Sequence, residues 1–278
     1  MRNMPMLPRR QVMMAAALLG AGGRIAVAQV EPHDDPWPSI ATQIFNGRQL
    51  EDGSAIIGIE APYRAEDAAI VPISIRNLAG AAETDPVRGV TLVIDQNPSP
   101  LAAVFTMGEN SFIRSLSTRV RVDSYTNIHA VAQAADGRLY QAARFVKAAG
   151  GCSAPVAKQD SAPVASHEAD WIPMGTMRFR QFPSEAGSKE LQLMVRHPNY
   201  SGMQMDQISR LYVPADFVST IRIWQGDDLL LTVESGISIA ENPQFRFDYR
   251  PNGATEFRAE VVDSQGQIFK QSWSSVRT

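Results

Sequence analysis

Cysteine is nearly absent from this chain, since Cys152 is the only one in 278 residues. It therefore has no partner for an intramolecular disulfide. At an ordinary pKa of about 8.5, a few per cent of such a thiol is thiolate near neutral pH, and the thiolate is its reactive form. The sequence leaves two interpretations open: a thiol used in chemistry, or an incidental thiol that at most forms an intermolecular disulfide.

The chain also lacks an excess of positive charge. Its formal net charge is -3, and residues 1–28 contain four arginines and no acidic residue. Without that segment the net charge changes from -3 to -7. An acidic chain with no basic stripe is not typical of proteins that bind nucleic acid, so we expect no nucleic-acid partner.

Histidine is scarce and scattered, and no two histidines have metal-ligand spacing; the four are His33, His129, His167 and His197. The sequence contains no GxGxxG, P-loop or GxSxG motif. We therefore expect no metal and no cofactor. A cysteine hydrolase or transferase using His129 or His197 as base stays open, although a nucleophile next to flexible glycines lacks the fixed geometry that catalysis needs. The chain is expected to have no enzymatic turnover of its own.

Long hydrophobic runs are missing apart from one near the beginning. Arg9-Arg10 precede an apolar stretch, Val12 to Leu19, and Ala26-Val27-Ala28 form a small-x-small cleavage site. This pattern predicts a signal peptide over 1–28, of twin-arginine or Sec type, and a mature chain from Gln29 in the periplasm. The apolar stretch is shorter than the roughly 20 residues that span a bilayer, so we expect no membrane contact after cleavage.

Amphipathic helices are also rare. One short helix is predicted between Asp34 and Leu50, with Ser39 as its N-cap. Alternating apolar residues predict many short strands, at 57–59, 70–75, 90–94, 119–123, 128–132 and 140–146 in the first half, and at 177–179, 191–195, 221–224, 229–233, 245–249, 257–262 and 268–273 in the second. Hairpin turns are predicted at Asp136-Gly137, Gly226-Asp227 and Gln265-Gly266. The chain is therefore predicted to be all-β, with one antiparallel β-sandwich in each half.

Cys152 follows Gly150-Gly151 and precedes a segment, up to Ala169, that is rich in Ala, Ser and Pro and has no periodic hydrophobicity. The two glycines predict a hinge, because they leave the backbone free. We expect Cys152 to be exposed on a flexible arm and not to be a core residue. Such an arm suits a covalent carrier, because it can present the sulfur to a partner's pocket.

Four motifs of the first half are distinctive: Asp95-Gln-Asn-Pro-Ser-Pro-Leu-Ala-Ala-Val-Phe105, Ser117-Thr-Arg-Val-Arg121, Ala135-Asp-Gly-Arg-Leu-Tyr140 and Gly150-Gly151-Cys152. Together they resemble SoxY, the sulfur-carrying subunit of the periplasmic thiosulfate-oxidising system. The second half resembles SoxZ, the companion subunit, in Arg196-His197-Pro198 with Ser201-Gly202, in Tyr212-Val-Pro-Ala-Asp-Phe217 and in Ser238-Ile-Ala-Glu-Asn-Pro243. The whole is similar to fused SoxYZ-like carriers associated with quinoprotein dehydrogenases.

The resemblance implies an immunoglobulin-like sandwich in each half: SoxY-like over 29–149, an arm and flexible linker over 150–169, and SoxZ-like over 170–278. It implies intramolecular pairing of the two sandwiches. It also implies that Cys152 carries thiosulfate-derived sulfur intermediates to periplasmic redox enzymes, with Gly150 and Gly151 as the hinge. The family's arm ends in Gly-Gly-Cys-Gly-Gly, whereas here Ser153 follows and Cys152 must enter a partner as a loop.

A different class of function stays open. In it, the chain is a non-catalytic binding or delivery module for a periplasmic PQQ-dependent quinoprotein dehydrogenase, and the thiol of Cys152 is dispensable.

Overall fold

A computed structural model describes residues 35–79, 87–109, 111, 114–155, 172–183 and 188–274. The expected signal peptide over 1–28 and linker residues 156–169 lie outside the described residues. The described residues from Pro36 onward belong to one compact unit, and Asp35 is the one described residue of the other, Met1–Asp35. Among the described residues, no helix combines the length and hydropathy needed to cross a membrane.

The predicted short helix is present as α1, Trp37–Ile44, but its N-cap is Pro36 and not Ser39. No side chain caps this end of the helix. Prolines at 36 and 38 lack an N–H group, so the first turn has fewer donors to satisfy, and it begins ahead of Ser39. Trp37 and Phe45 attach the helix to the first half by packing against a small apolar cluster that includes Val93, Val131 and Leu139.

The rest of the described chain is built of strands. In the first half they are β1 (Leu50–Asp52), β2 (Ile57–Glu60), β3 (Val71–Asn77), β4 (Val87–Ile94), β5 (Leu101–Met107), β6 (Ser115–Val120), β7 (Thr126–Ala134) and β8 (Leu139–Val146). In the second half they are β9 (Met177–Pro183), β10 (Lys189–Val195), β11 (Val218–Gln225), β12 (Asp228–Ser235), β13 (Gln244–Tyr249), β14 (Glu256–Asp263) and β15 (Ile268–Ser274). The all-β prediction with one short helix is confirmed, and the three predicted turns join β7 to β8, β11 to β12 and β14 to β15.

Each half contributes strands to both layers of the fold. One sheet has the order β1-β8-β7-β4-β5-β12-β11-β14-β15, and the other has the order β2-β3-β6-β13-β10-β9. The halves meet at two antiparallel pairs: β5 with β12, where Phe105 lies opposite Val233, and β6 with β13, where Leu116 lies opposite Phe247. The two sandwiches therefore join edge to edge, and both sheets continue across a boundary that we call the seam.

The core also crosses the seam. Phe105 of the first half and Phe245 of the second are both fully buried, and their rings meet edge to face with centroids 6.0 Å apart. Phe245, Phe247 and Tyr249 of β13 are all buried, as the alternating aromatic pattern predicts. Burial of apolar surface from both halves in one core links the stability of each half to the other.

Candidate functional site: a docked Gly-Gly-Cys segment at the seam

The Gly-Gly-Cys segment leaves β8 as a turn on the surface and is held by the loop that follows β6. The Gly150 N–H donates to the Asp123 carbonyl oxygen over 2.8 Å, and the Gly151 N–H donates to the Val122 carbonyl oxygen over 2.9 Å. Ala149, Gly150 and Ser153 are exposed on either side of the cysteine. The segment is therefore a surface turn that is fixed by main-chain hydrogen bonds.

Both glycines favour this docked geometry, Gly150 through its backbone angle and Gly151 through the absence of a side chain. Gly150 has φ +78°, in the left-handed region that residues with a Cβ adopt at a cost. At Gly151, a Cβ would lie 2.0 Å from the Ala68 carbonyl oxygen and 2.6 Å from that of Val122. Gly151 therefore allows a close approach of three backbone segments, a role that differs from the predicted hinge.

The thiol itself points inward. Cys152 has a relative exposure of 0%, so the expectation that it is exposed and outside the core is wrong in this structure. The physical reason is that the close approach of Gly151 to the Ala68 and Val122 carbonyl groups brings the turn near enough to the body of the protein for the small side chain to be enclosed. The assignment of Cys152 as attachment site stays a prediction.

Residues from the second half hold the same segment from the other side of the seam. The Ser201 hydroxyl donates to the Cys152 carbonyl oxygen over 2.5 Å, and the Ser201 N–H is held by Gln204 Oε1 at 2.9 Å. Ser201 and Gln204 are both buried. The cysteine backbone is therefore bound by both halves of the chain.

Arg121 joins these parts and is completely buried. Its Nη1 donates to the Gly151 carbonyl oxygen and its Nη2 donates to the Asn199 carbonyl oxygen, each over 3.3 Å. Burial lowers the pKa of the guanidinium below its ordinary value, with Glu241 acting in the opposite direction. The side chain thus connects the thiol segment to the loop after β10.

Asn97 fixes the loop on which the glycines dock. Its Nδ2 donates to the Arg121 carbonyl oxygen over 2.8 Å and to Ser238 Oγ over 2.9 Å, while its Oδ1 accepts the Asp123 N–H over 2.9 Å. Ser238 belongs to the second half, so this amide also spans the seam. Sequence reasoning did not assign these roles to Asn97, Arg121 and Ser201, although all three lie in the motifs that carry the family resemblance.

The surroundings make the docked thiol unreactive. Burial raises the pKa of Cys152 to about 12, the nearby carboxylate of Asp123 adds to this effect, and the Arg121 guanidinium opposes it. At neutral pH the docked side chain is therefore the protonated thiol.

Neither described histidine acts on the thiol. His129 Nε2 pairs with Asp95 Oδ2 at 3.1 Å, and its ring stacks on Trp37 with centroids 3.6 Å apart. His197 Nδ1 accepts the Asn199 N–H over 3.1 Å, and the remaining ring nitrogens of these two residues have no hydrogen-bond partner. A Cys-His dyad with His129 or His197 is therefore not formed; His33 and His167 lie outside the described residues.

Comparison with protein families gives one match in each half. The family described as sulfur oxidation protein SoxY matches residues 41–152, so that the match ends at Cys152, and the family described as sulphur oxidation protein SoxZ matches residues 177–274. A search of the curated proteins finds no match.

Solved structures with similarity to the chain include two small proteins. The sulfur carrier protein SoxY from Chlorobium limicola f thiosulfatophilum is 26% identical, covers 40% of this chain and 94% of its own, and has a TM-score of 0.32. The superoxide reductase neelaredoxin from Ignicoccus hospitalis is 13% identical, covers 40% of this chain and 90% of its own, and has a TM-score of 0.29.

Proposed function

Because this chain joins a SoxY domain to a SoxZ domain and so belongs with the fused SoxY-SoxZ-like carriers of sulfur oxidation, we propose that it is a periplasmic carrier of thiosulfate-derived sulfur on Cys152. The observation that carries the proposal is the position of the only cysteine. It lies at the last residue of the SoxY match and is held at the seam by residues of both domains.

The covalent step uses the sulfur of Cys152 as the attachment atom. The Cys152 thiol and thiosulfate combine to Cys152–S–S–SO₃⁻, with loss of one proton and two electrons. A haem-containing oxidase, which the family resemblance implies as a partner, accepts the electrons. The chain itself supplies the attachment atom and its presentation.

The docked geometry adds a requirement, because the thiol must leave its site before it can react. Four hydrogen bonds hold the segment: those from Gly150, Gly151 and Ser201, and that from Arg121. At roughly 0.5 to 1.5 kcal/mol net for each, opening costs about 2 to 6 kcal/mol before any loss of apolar burial. Since Gly150 and Ser153 are already exposed, the movement is a local one, and it presents Cys152 as a loop.

Intact-protein mass spectrometry tests the carrier function. Protein isolated from its native cells grown with thiosulfate should carry added sulfur-containing mass that a reductant removes, and digestion should place it on the peptide that contains Cys152. Cys152→Ser should abolish the adduct and keep the circular dichroism of the wild type. A clean free thiol in the wild type, or an adduct that persists in the variant, would refute the proposal.

One observation favours a second function, that of a delivery module for a PQQ-dependent quinoprotein dehydrogenase with a dispensable thiol. This observation is the complete burial of Cys152, which raises the pKa of its thiol to about 12. The two functions differ in one result. Co-purification with such a dehydrogenase that is unchanged by Cys152→Ser supports the module, whereas loss of the association supports the carrier.

A further inference from the structure

Three potential ligand atoms converge in the second half, away from the thiol. His197 follows β10, Asp216 precedes β11 and Asp263 ends β14. His197 Nε2 lies 3.7 Å from Asp216 Oδ1 and 3.8 Å from Asp263 Oδ2, and the three atoms all lie within 4.8 Å of one another. We call these residues the His-Asp-Asp cluster.

These same three atoms are buried and have no hydrogen-bond partner. The side chains of His197 and Asp263 are 0% exposed. Leaving a buried donor or acceptor unpaired is costly, so native proteins rarely do so without a bound water or ion. The three atoms contact one another only at ion-pair distance, and a ligand that bound all three would remove this cost.

The cluster is held in place by its neighbours. Asp263 Oδ1 accepts the N–H groups of Gln265 and Gln267 over 2.9 and 2.8 Å, which leaves Oδ2 directed at the cluster. His197 is fixed by the Asn199 N–H on Nδ1 and by burial. Hydrogen bonds such as those that Asp263 Oδ1 accepts orient carboxylates that bind metals in proteins, whereas the bond that Nδ1 accepts from Asn199 would have to break.

A cavity of about 290 Å³ gives access from solvent, and its lining includes His197 and Asp216. The side chain of Asp216 is 23% exposed, so this carboxylate lies between the buried pair and the opening. The cavity leaves room for water molecules as additional ligands. Arg196 also lines it, and its Nη1 donates to Asn242 Oδ1.

We propose that the His-Asp-Asp cluster binds a divalent transition-metal ion, for which zinc is the probe. One imidazole nitrogen and two carboxylate oxygens are ligands that zinc accepts at roughly 2.0 to 2.2 Å, and a tetrahedral arrangement would place them about 3.4 Å apart. The two histidine–carboxylate separations of 3.7 and 3.8 Å need to contract by only a few tenths of an ångström, while the two carboxylate oxygens lie within 4.8 Å of each other. The spacing of histidines in the sequence did not predict this site, because its three residues come from distant segments.

Metal binding at Nε2 has a specific structural consequence. The Asn199 N–H donates to Nδ1, so the proton of the neutral ring lies on Nε2 when no metal is bound. When the ion takes the Nε2 lone pair, that proton moves to Nδ1 and the Asn199 amide loses its acceptor. The ring nitrogens of His197 and the amide of Asn199 should therefore change their NMR signals together when the site fills.

The test is zinc titration of the mature full-length chain, without an affinity tag, followed by calorimetry and by ¹⁵N NMR. The wild type should bind one zinc ion per chain, with the paired changes at His197 and Asn199. Asp216→Asn, which keeps the side-chain shape, should weaken binding at least tenfold. The matched control is Asp227→Asn, which removes an exposed carboxylate in a hairpin turn and should bind zinc as the wild type does.

Three outcomes decide against the site. If the wild type binds no zinc, or if Asp216→Asn binds as tightly as the wild type, the cluster holds an ordered water that accepts from Nε2–H and donates to both carboxylates. Cys152→Ser should retain full binding, because the thiol is not a ligand. If that variant loses the ion, zinc binds at the thiol and the proposal is overturned.

Discussion

At the scale of single residues, Gly151 has the tightest surroundings in the docked segment. In Gly151→Ala the new Cβ would meet two backbone carbonyl oxygens, at 2.0 and 2.6 Å, and these cannot rotate away. The segment should therefore undock, and an aromatic disulfide reagent should modify Cys152 at least tenfold faster than in the wild type. Stopped-flow absorbance measures the rate, and circular dichroism checks that the sheets remain.

Gly150→Ala is the matched control for that variant. A Cβ at Gly150 meets nothing within 4 Å, so the substitution adds only the strain of φ +78°, about 1 to 2 kcal/mol. Its effect on the rate should be smaller than that of Gly151→Ala. Equal rates for Gly151→Ala and the wild type would show that the close approach at Gly151 does not hold the thiol.

The pH dependence of thiol modification follows from the raised pKa of Cys152. Because the docked pKa of about 12 exceeds the ordinary thiol value of about 8.5 to 9, docking is fully favoured below about pH 8.5 and weakens as the pH rises from there toward 12. The rate of alkylation by iodoacetamide should therefore keep rising beyond pH 9. In concentrated urea, where the chain is unfolded, the rate should level off near the ordinary pKa of the thiol. If the rate in the native protein also levelled off near pH 9, the result would contradict a buried thiol.

At the scale of elements, the loop after β10 controls the thiol through Ser201. Ser201→Ala removes the 2.5 Å hydrogen bond and leaves the buried Cys152 carbonyl oxygen without that donor, at a cost of roughly 1 to 3 kcal/mol. Thiol modification should become about 5 to 150 times faster. Ser209→Ala, in the exposed part of the same loop, serves as control and should leave the modification rate unchanged. An unchanged rate in Ser201→Ala would show that the Ser201 hydrogen bond does not hold the thiol segment.

Most strands could be predicted from their apolar residues, although burial alternates clearly only in some of them, such as β3 and β14. All seven strands of the second half were predicted, whereas β1 and β5 were not. β1 has only three residues and pairs in parallel with the distant β8. β5 lies inside its sheet between β4 and β12, and its buried positions do not alternate, since Ala102 and Ala103 are both buried.

The position of the candidate site could be predicted from the sequence, but the burial of its thiol could not. The single cysteine and the two glycines stand out in the sequence, and their flexibility suggests a mobile arm. The contacts that dock the segment come from Ala68, Val122 and Ser201, which are far from Cys152 along the chain. Local composition indicates which backbone conformations are accessible, whereas these long-range contacts determine which of them the segment adopts.

At the scale of the whole molecule, the seam should hold the two halves together without a covalent link. Residues 29–155 and 172–278 expressed as separate chains should co-purify as a 1:1 complex, because the pairs β5–β12 and β6–β13 complete both sheets. Each half alone would expose the edge of a sheet and apolar residues such as Phe105 and Phe245, so it should aggregate. Size-exclusion chromatography with light scattering distinguishes these outcomes.

A pair of buried aromatic residues separates pairing across the seam from stability in general. Phe105→Ala removes a ring that contacts Phe245 of the other half, and such truncations cost about 3 to 5 kcal/mol. We expect it to weaken association of the separate halves at least a hundredfold. Phe257→Ala removes an equally buried ring whose aromatic neighbours, Phe179 and Tyr249, belong to its own half, so it should lower the melting temperature and leave association nearly intact. If both variants weaken association equally, the halves pair through their overall stability and not through the seam.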